Sequence, residues 1–169
     1  MLLLQNEESK TKDQLIQEKS DLEFQMFRMQ ENMKEISKHW NILGIDQTKD
    51  DTWVVVYTAE NDHTCKVMLH ECSGPFKGQW DFAIQATYEN PSVIQIDDIK
   101  GVENRGFGSV CMDFLKKLAW EKNIQYITGN LVKRDWDHID RLTHFYKKHN
   151  FHVDVKTDQQ SGSIVWNPS

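Results

Sequence analysis

Cysteine is scarce in this chain of 169 residues: Cys65, Cys72 and Cys111 form an odd set without a CxxC pair. That excludes a disulfide framework and suits a reducing compartment, so the cytoplasm is the expected location. Positive charge is also short. Lys and Arg number 20 against 26 Asp and Glu, a formal net charge of -6, which leaves no global basic field to hold nucleic acid non-specifically. No nucleic-acid partner is expected. Long apolar runs are absent as well. Leu2 to Leu4 is too short for a secretory h-region and nothing approaches the length that crosses a bilayer, so no membrane association is expected. Neither Pro nor Gly occurs before Gly44, and nothing there would break a helix. Material for a core is ample, with 38% hydrophobic and 11% aromatic residues, and the length suits one domain with an appended element.

The first segment carries a heptad. Leu15, Leu22, Met29, Ile36 and Leu43 recur every seven residues, and Met26, Met33 and Trp40 fall four residues after successive members. This seam, set among Glu, Gln, Lys, Asp and Ser, predicts a long amphipathic, coiled-coil-like helix from about Asn6 to Trp40, with Gly44 as its stop. Lys12 and Lys19 take a-type positions, so the N-terminal end pairs more loosely. Two uses fit the pattern. Either the second half packs on the domain that follows, or the helix forms a coiled-coil homodimer or a partner-binding arm.

After a polar linker, Asp46 to Thr52, the period changes. Trp53 to Thr58, Cys65 to Cys72, Trp80 to Tyr88 and Pro91 to Ile99 are rich in Val, Ile, Thr and aromatic residues. They are separated by Asn61-Asp62, Gly74-Pro75 with Gly78, and Glu89-Asn90, and predict consecutive antiparallel strands. Val110, Cys111, Phe114, Leu115, Leu118 and Ala119 then form a helical stripe from Gly108, and Gln125 to Val132 reads as a short strand. Trp136, Ile139, Leu142, Phe145 and Tyr146 make a second stripe that ends at Asn150, and Phe151 to Val155 with Ser163 to Trp166 suit a closing hairpin. Antiparallel strands leading into a βαβ unit predict a mixed α/β domain on one central sheet over residues 51–169, preceded by the helical segment 1–45.

The stretch from Ile96 to Ser109 runs from a strand through a glycine-bearing turn into a helix. Gly106 and Gly108 let the backbone approach a ligand and turn successive N–H groups outward, and the helix adds the positive end of its dipole. That suits a phosphate or pyrophosphate, with Arg105 adding a charge-assisted contact. A GxG before a helix is also common without any ligand. The Walker pattern fails for want of Gly-Lys-Ser/Thr, and the Rossmann fingerprint lacks its third glycine.

Arg105-Gly106-Phe107-Gly108-Ser109 resembles the acyl-CoA pyrophosphate loop of the GNAT superfamily of N-acetyltransferases, written Q/R-x-x-G-x-G/A. Further on, Phe145-Tyr146-Lys147-Lys148-His149-Asn150-Phe151 resembles the second signature of that superfamily, an aromatic-Tyr pair near a helix end followed by Gly-Phe entering the next strand. The resemblance spans Asp51 to Trp166 and is strongest from Ile96 to Val155. The chain departs from the pattern at Asn150, which tolerates the left-handed conformation of a helix stop. It departs also at Glu103, which holds the Q/R position, where a carboxylate repels pyrophosphate unless it points away.

The resemblance implies a GNAT-like acyltransferase fold, acetyl-CoA as acyl donor without a metal, and direct attack of an acceptor amine on the thioester. It implies that Arg105, Gly106, Phe107, Gly108 and Ser109 hold the pyrophosphate, that the Ile99 backbone polarises the thioester oxygen, and that Asn130 or Asp137 meets the pantetheine or caps the Tyr helix, for which Asp135 is an equal candidate. Tyr146 would protonate the leaving thiolate; otherwise it is a core aromatic. A bulge would splay the strand of Ile99 from the strand after it, and Asp98 beside that point is the candidate base, or else a solvated strand-end carboxylate. His63 with Cys65 and His70 with Cys72 fall on opposite strand faces, so no metal site is expected. Trp53, Trp80, Tyr88 and Trp136 line an acceptor pocket or belong to the core. The competing reading is a catalytically silent GNAT-fold module that dimerises or binds a partner through its N-terminal helix.

Overall fold

A computed structural model describes residues 10–168; the run Leu2 to Leu4 and the first residues of the expected helix lie outside the described residues. Helix α1 (Lys12–Ser37) opens with a reciprocal cap. The Thr11 hydroxyl accepts from the Gln14 N–H at 3.2 Å, and the Gln14 side chain accepts from the Thr11 N–H at 2.9 Å. The helix ends before Trp40, and Gly44 is not its stop. Leu43 and Gly44 lie instead in strand β1 (Asn41–Gln47), which pairs antiparallel with β2 (Trp53–Glu60). Ile42 and Leu43 pack against opposite sides of the sheet, as neighbours on a strand do, so sheet pairing overrides the heptad here.

The remaining elements follow the expected order with shifted ends. They are β3 (Thr64–Glu71), β4 (Phe82–Asn90), β5 (Val93–Gly101), α2 (Phe107–Glu121), β6 (Tyr126–Leu131), a 3-10 turn (Lys133–His138), α3 (Ile139–Lys148), β7 (His152–Lys156) and β8 (Ser161–Trp166). All eight strands form one sheet in the order β1-β2-β3-β4-β5-β6-β8-β7. Only the β5–β6 pair is parallel, as the α2 crossover requires.

The sheet buries apolar side chains on both faces. On one, Val54, Val56, Leu69, Ile84, Ile94 and Ile96 meet Cys111, Phe114, Leu115 and Leu118 of α2, with Tyr146 and Phe151 in the same cluster. On the other, Val55, Tyr57 and Met68 lie under Met29, Met33 and Ile36 of α1, with Trp40 and Phe76. Asn32 pins α1 in place: its amide donates to Gly74 O at 3.0 Å and accepts from the Phe76 N–H at 2.9 Å. The second half of the helix therefore packs on its own domain. The first half does not, and Leu15, Ile16, Leu22, Phe24, Met26 and Phe27 stand between 50% and 61% exposed. Among the described residues, no helix is long and apolar enough to cross a membrane.

The contrast along α1 is measurable in urea. Ile36, fully buried, should cost about 3 kcal/mol of stability when cut to alanine, whereas Leu22→Ala in a monomer should change it by no more than about 0.5 kcal/mol.

Candidate active site

The site begins where two strands part. β5 and β6 pair from Val93↔Tyr126 to Ile96↔Gly129 and no further. At that point β5 carries an extra residue: Ile96 faces Ala86 and Asp98 faces Gln85, which leaves Asp97 as a bulge. From Asp97 to Gly101 the edge of β5 toward β6 has no strand partner; the Asp97 carbonyl accepts from Arg134 at 3.4 Å, and the stretch beyond it is open to an extended ligand. A cavity of about 500 Å³ opens between this edge, the loop 101–109 and α3. A smaller one of about 140 Å³ adjoins it, and the two share Ile99, His138, Arg141 and Leu142.

Gly106, Phe107, Gly108 and Ser109 line the larger cavity. Gly106 holds a left-handed conformation (φ 78°), and a Cβ built there meets no atom within 4 Å, so the space beside it is open. No side chain caps α2, and its first helical bond runs from Val110 N to Gly106 O at 3.3 Å. The first-turn N–H groups thus lack helical acceptors and face a cleft at the positive end of the helix. Gly108 is needed for packing: a Cβ there would stand 3.1 Å from Phe82 and 3.2 Å from Phe145.

Arg105, expected at the pyrophosphate, is bonded elsewhere in the fold. Its guanidinium donates to Glu71 at 3.1 Å, to Asp50 at 3.2 Å and to Thr52 at 3.2 Å, and it does not line the cleft. It ties the loop to β3 and to the β1–β2 turn. The cations that do line the cleft are Lys100, Arg141 and Lys148. Arg141 was missed in the sequence, although its i, i+4, i+7 spacing with Phe145 and Lys148 places all three on one helix face. It forms an ion pair with Glu103, so the carboxylate at the Q/R position is neutralised by α3. The Lys49 ammonium beside Lys148 lowers its tendency to hold a proton.

Tyr146, Asp98 and Asn130 come together around the smaller cavity. Tyr146 is 5% exposed and packs between Phe145 and Phe151, at ring distances of 5.5 Å and 5.3 Å. Burial, with the Asp135 and Asp98 carboxylates adding to it, pushes its phenol above the usual tyrosine range, so it stays protonated at neutral pH. Asp98 pairs with Lys100 at 3.2 Å. Asp137 is exposed and lines neither cavity; Asp135 is the residue that caps the turn, accepting from the Val132 N–H at 2.7 Å. Trp53, Trp80, Tyr88 and Trp136 line neither cavity.

No family model matches the chain. It is 50% identical over 157 residues to Uncharacterized protein YocC of Bacillus subtilis (strain 168), across 93% of this chain and 94% of that protein. The chain belongs to the YocC family. Among solved structures, the GNAT domain of S. lividans PAT superposes with a TM-score of 0.50 at 6% identity, over 64% of each chain. Campylobacter jejuni N-acetyltransferase PseH gives a TM-score of 0.49 at 13% identity, over 64% of this chain and 71% of that one. Such identities bear on the fold alone. The YocC-family chain has the GNAT fold, with its mixed sheet and a long N-terminal helix.

Burial holds both His70 and His149 below the usual histidine range, so each favours its neutral form in the folded chain. Their contribution to stability is complete above the unfolded value of about 6.5 and declines as pH falls below it. The melting temperature should therefore drop as pH is lowered through that window, and drop less in His70→Gln.

Proposed function

We propose that this chain is an acetyl-CoA-dependent N-acetyltransferase that moves an acetyl group to an amine. One observation carries the reading: the unpaired stretch of β5 leads from the uncapped start of α2 to a buried, protonated Tyr146, through two adjoining cavities. The larger cavity has the volume of an ordinary cofactor site. The backbone of residues 106–109 would take the pyrophosphate, with Lys100, Arg141 and Lys148 supplying positive charge. Asp97 to Gly101 would run beside the pantetheine, and the Ile99 backbone would polarise the thioester oxygen. Acetyl-CoA supplies the acetyl group as a thioester, whose carbonyl carbon the amine attacks and whose thiol departs. Asp98 takes the proton that the amine loses, and Tyr146 gives its proton to the sulfur. The silent-module reading rested on Glu103 and on the unidentified base; the Arg141 ion pair weakens the first of these supports, and Asp98 at the smaller cavity answers the second.

The three cysteines are free and buried, which fits a cytoplasmic enzyme. To the outer half of α1 we assign a second copy of the chain, because the seam Leu15, Leu22 and Met26 continues the heptad that packs on the chain's own sheet, and such a seam is self-complementary. The globular part of the chain is then the catalytic unit and the outer helix its appendage.

Calorimetric titration with acetyl-CoA and CoA tests the cofactor: saturable one-to-one binding on the order of micromolar affinity is expected, and Gly106→Trp should abolish it by filling the loop. Absence of binding by the folded chain overturns the reading. Tyr146→Phe should lower kcat by roughly 100-fold with CoA affinity unchanged. Leu22→Glu combined with Met26→Glu should halve the mass seen by light scattering.

A further inference from the structure

The first turn of α2 and the end of α3 are joined by a hydrogen bond between Ser109 Oγ and His149 Nε2, at 3.0 Å. Ser109 lines the larger cavity, whereas His149 lies behind it, 7% exposed. The Asp113 carboxylate stands 3.8 Å from Nδ1 of the imidazole. Lys116 of α2 and Lys148 of α3 are the other charges around the ring, with Lys49 of the β1–β2 turn beside Lys148, and Phe145 packs against the ring at 4.8 Å. Burial, Lys116 and Lys148 all favour the neutral imidazole, and Asp113 alone opposes them.

A serine hydroxyl has one proton to donate. Asp113 can only accept, so it favours the tautomer with hydrogen on Nδ1, and Nε2 then accepts the hydrogen bond that the Ser109 hydroxyl donates. In that state Ser109 has nothing to offer an anion in the cleft. Protonation at Nε2 reverses the bond: the imidazolium donates to Oγ, and the hydroxyl is released to donate into the cavity.

We propose that His149 takes up a proton from solvent when a phosphate group occupies the start of α2, and that this turns Ser109 from the imidazole to the ligand. The inference rests on the CoA reading of the cleft. It makes His149 a positioning residue that acts through Ser109, with the Asp113 charge near Nδ1. The bound state holds the extra proton, so affinity rises as pH falls through the histidine range and is lower where His149 stays neutral in both states.

The test is calorimetric titration of the full chain with CoA in buffers of different ionisation enthalpy, repeated from about pH 8 to about pH 6. Wild type should take up roughly half a proton or more beyond His149→Gln near the middle of that range, and its affinity relative to that variant should rise about threefold to tenfold on acidification. Ser109→Ala keeps the imidazole, removes the relay and should match His149→Gln; it carries the test alone if the buried variant fails to fold. The same CoA is used throughout, so titration of its own phosphates cancels in the differences. Equal proton uptake by wild type and Ser109→Ala overturns the role of His149 and leaves the CoA site standing. Failure of folded wild type to bind CoA overturns the site reading and this inference with it.

Discussion

The parting of β5 from β6 after Ile96 is the constraint on which the site depends. A parallel pair that continued to Gly101 would satisfy every backbone group of β5 and leave nowhere for an extended ligand to pair. The bulge at Asp97 prevents this. It re-aims Asp98, Ile99 and Lys100, and the space it opens is lined by the α2 loop on one side and by Tyr146 on the other. Upstream of the bulge the strands are closely packed, and a Cβ on Gly129 would stand 3.4 Å from Ile96 O on β5 and 2.9 Å from the Ile164 side chain on β8. Close packing on one side of the bulge and unpaired backbone on the other make a rigid edge with an open groove.

Charge in the groove follows from where the arginines are spent. Arg105 bonds to two carboxylates and a hydroxyl, and holds the loop in the conformation that points its N–H groups at the cleft. Arg141 bridges from α3 to Glu103 across the mouth and shares both cavities. A carboxylate that would oppose a phosphate is paired with a cation that would attract one.

Helix α1 divides its length between two tasks. Met29 to Ile36 seal the face of the sheet opposite α2, and Asn32 fixes the helix by using both ends of its amide on the β3–β4 loop. A buried amide with both ends satisfied specifies position as well as stability. The outer half keeps the same heptad but has no sheet beneath it, so the same seam is core at one end and exposed surface at the other.

Local features of the chain were legible in its sequence. The Val-rich, aromatic run Trp53 to Thr58 and the glycine turn before Val110 depend on backbone preferences carried by neighbouring residues, and β2 and α2 follow from them. The pair Phe145-Tyr146 at a helix end was legible for the same reason. Strand β1 was not, because Leu43 fits a heptad as well as a strand and only pairing with β2 decides between them. Nor were the partners of Arg105, Glu103 and His149, which lie between 34 and 55 residues away. Periodicity is a local property of the chain, whereas an ion pair or a hydrogen bond goes to whichever group the completed fold brings within reach.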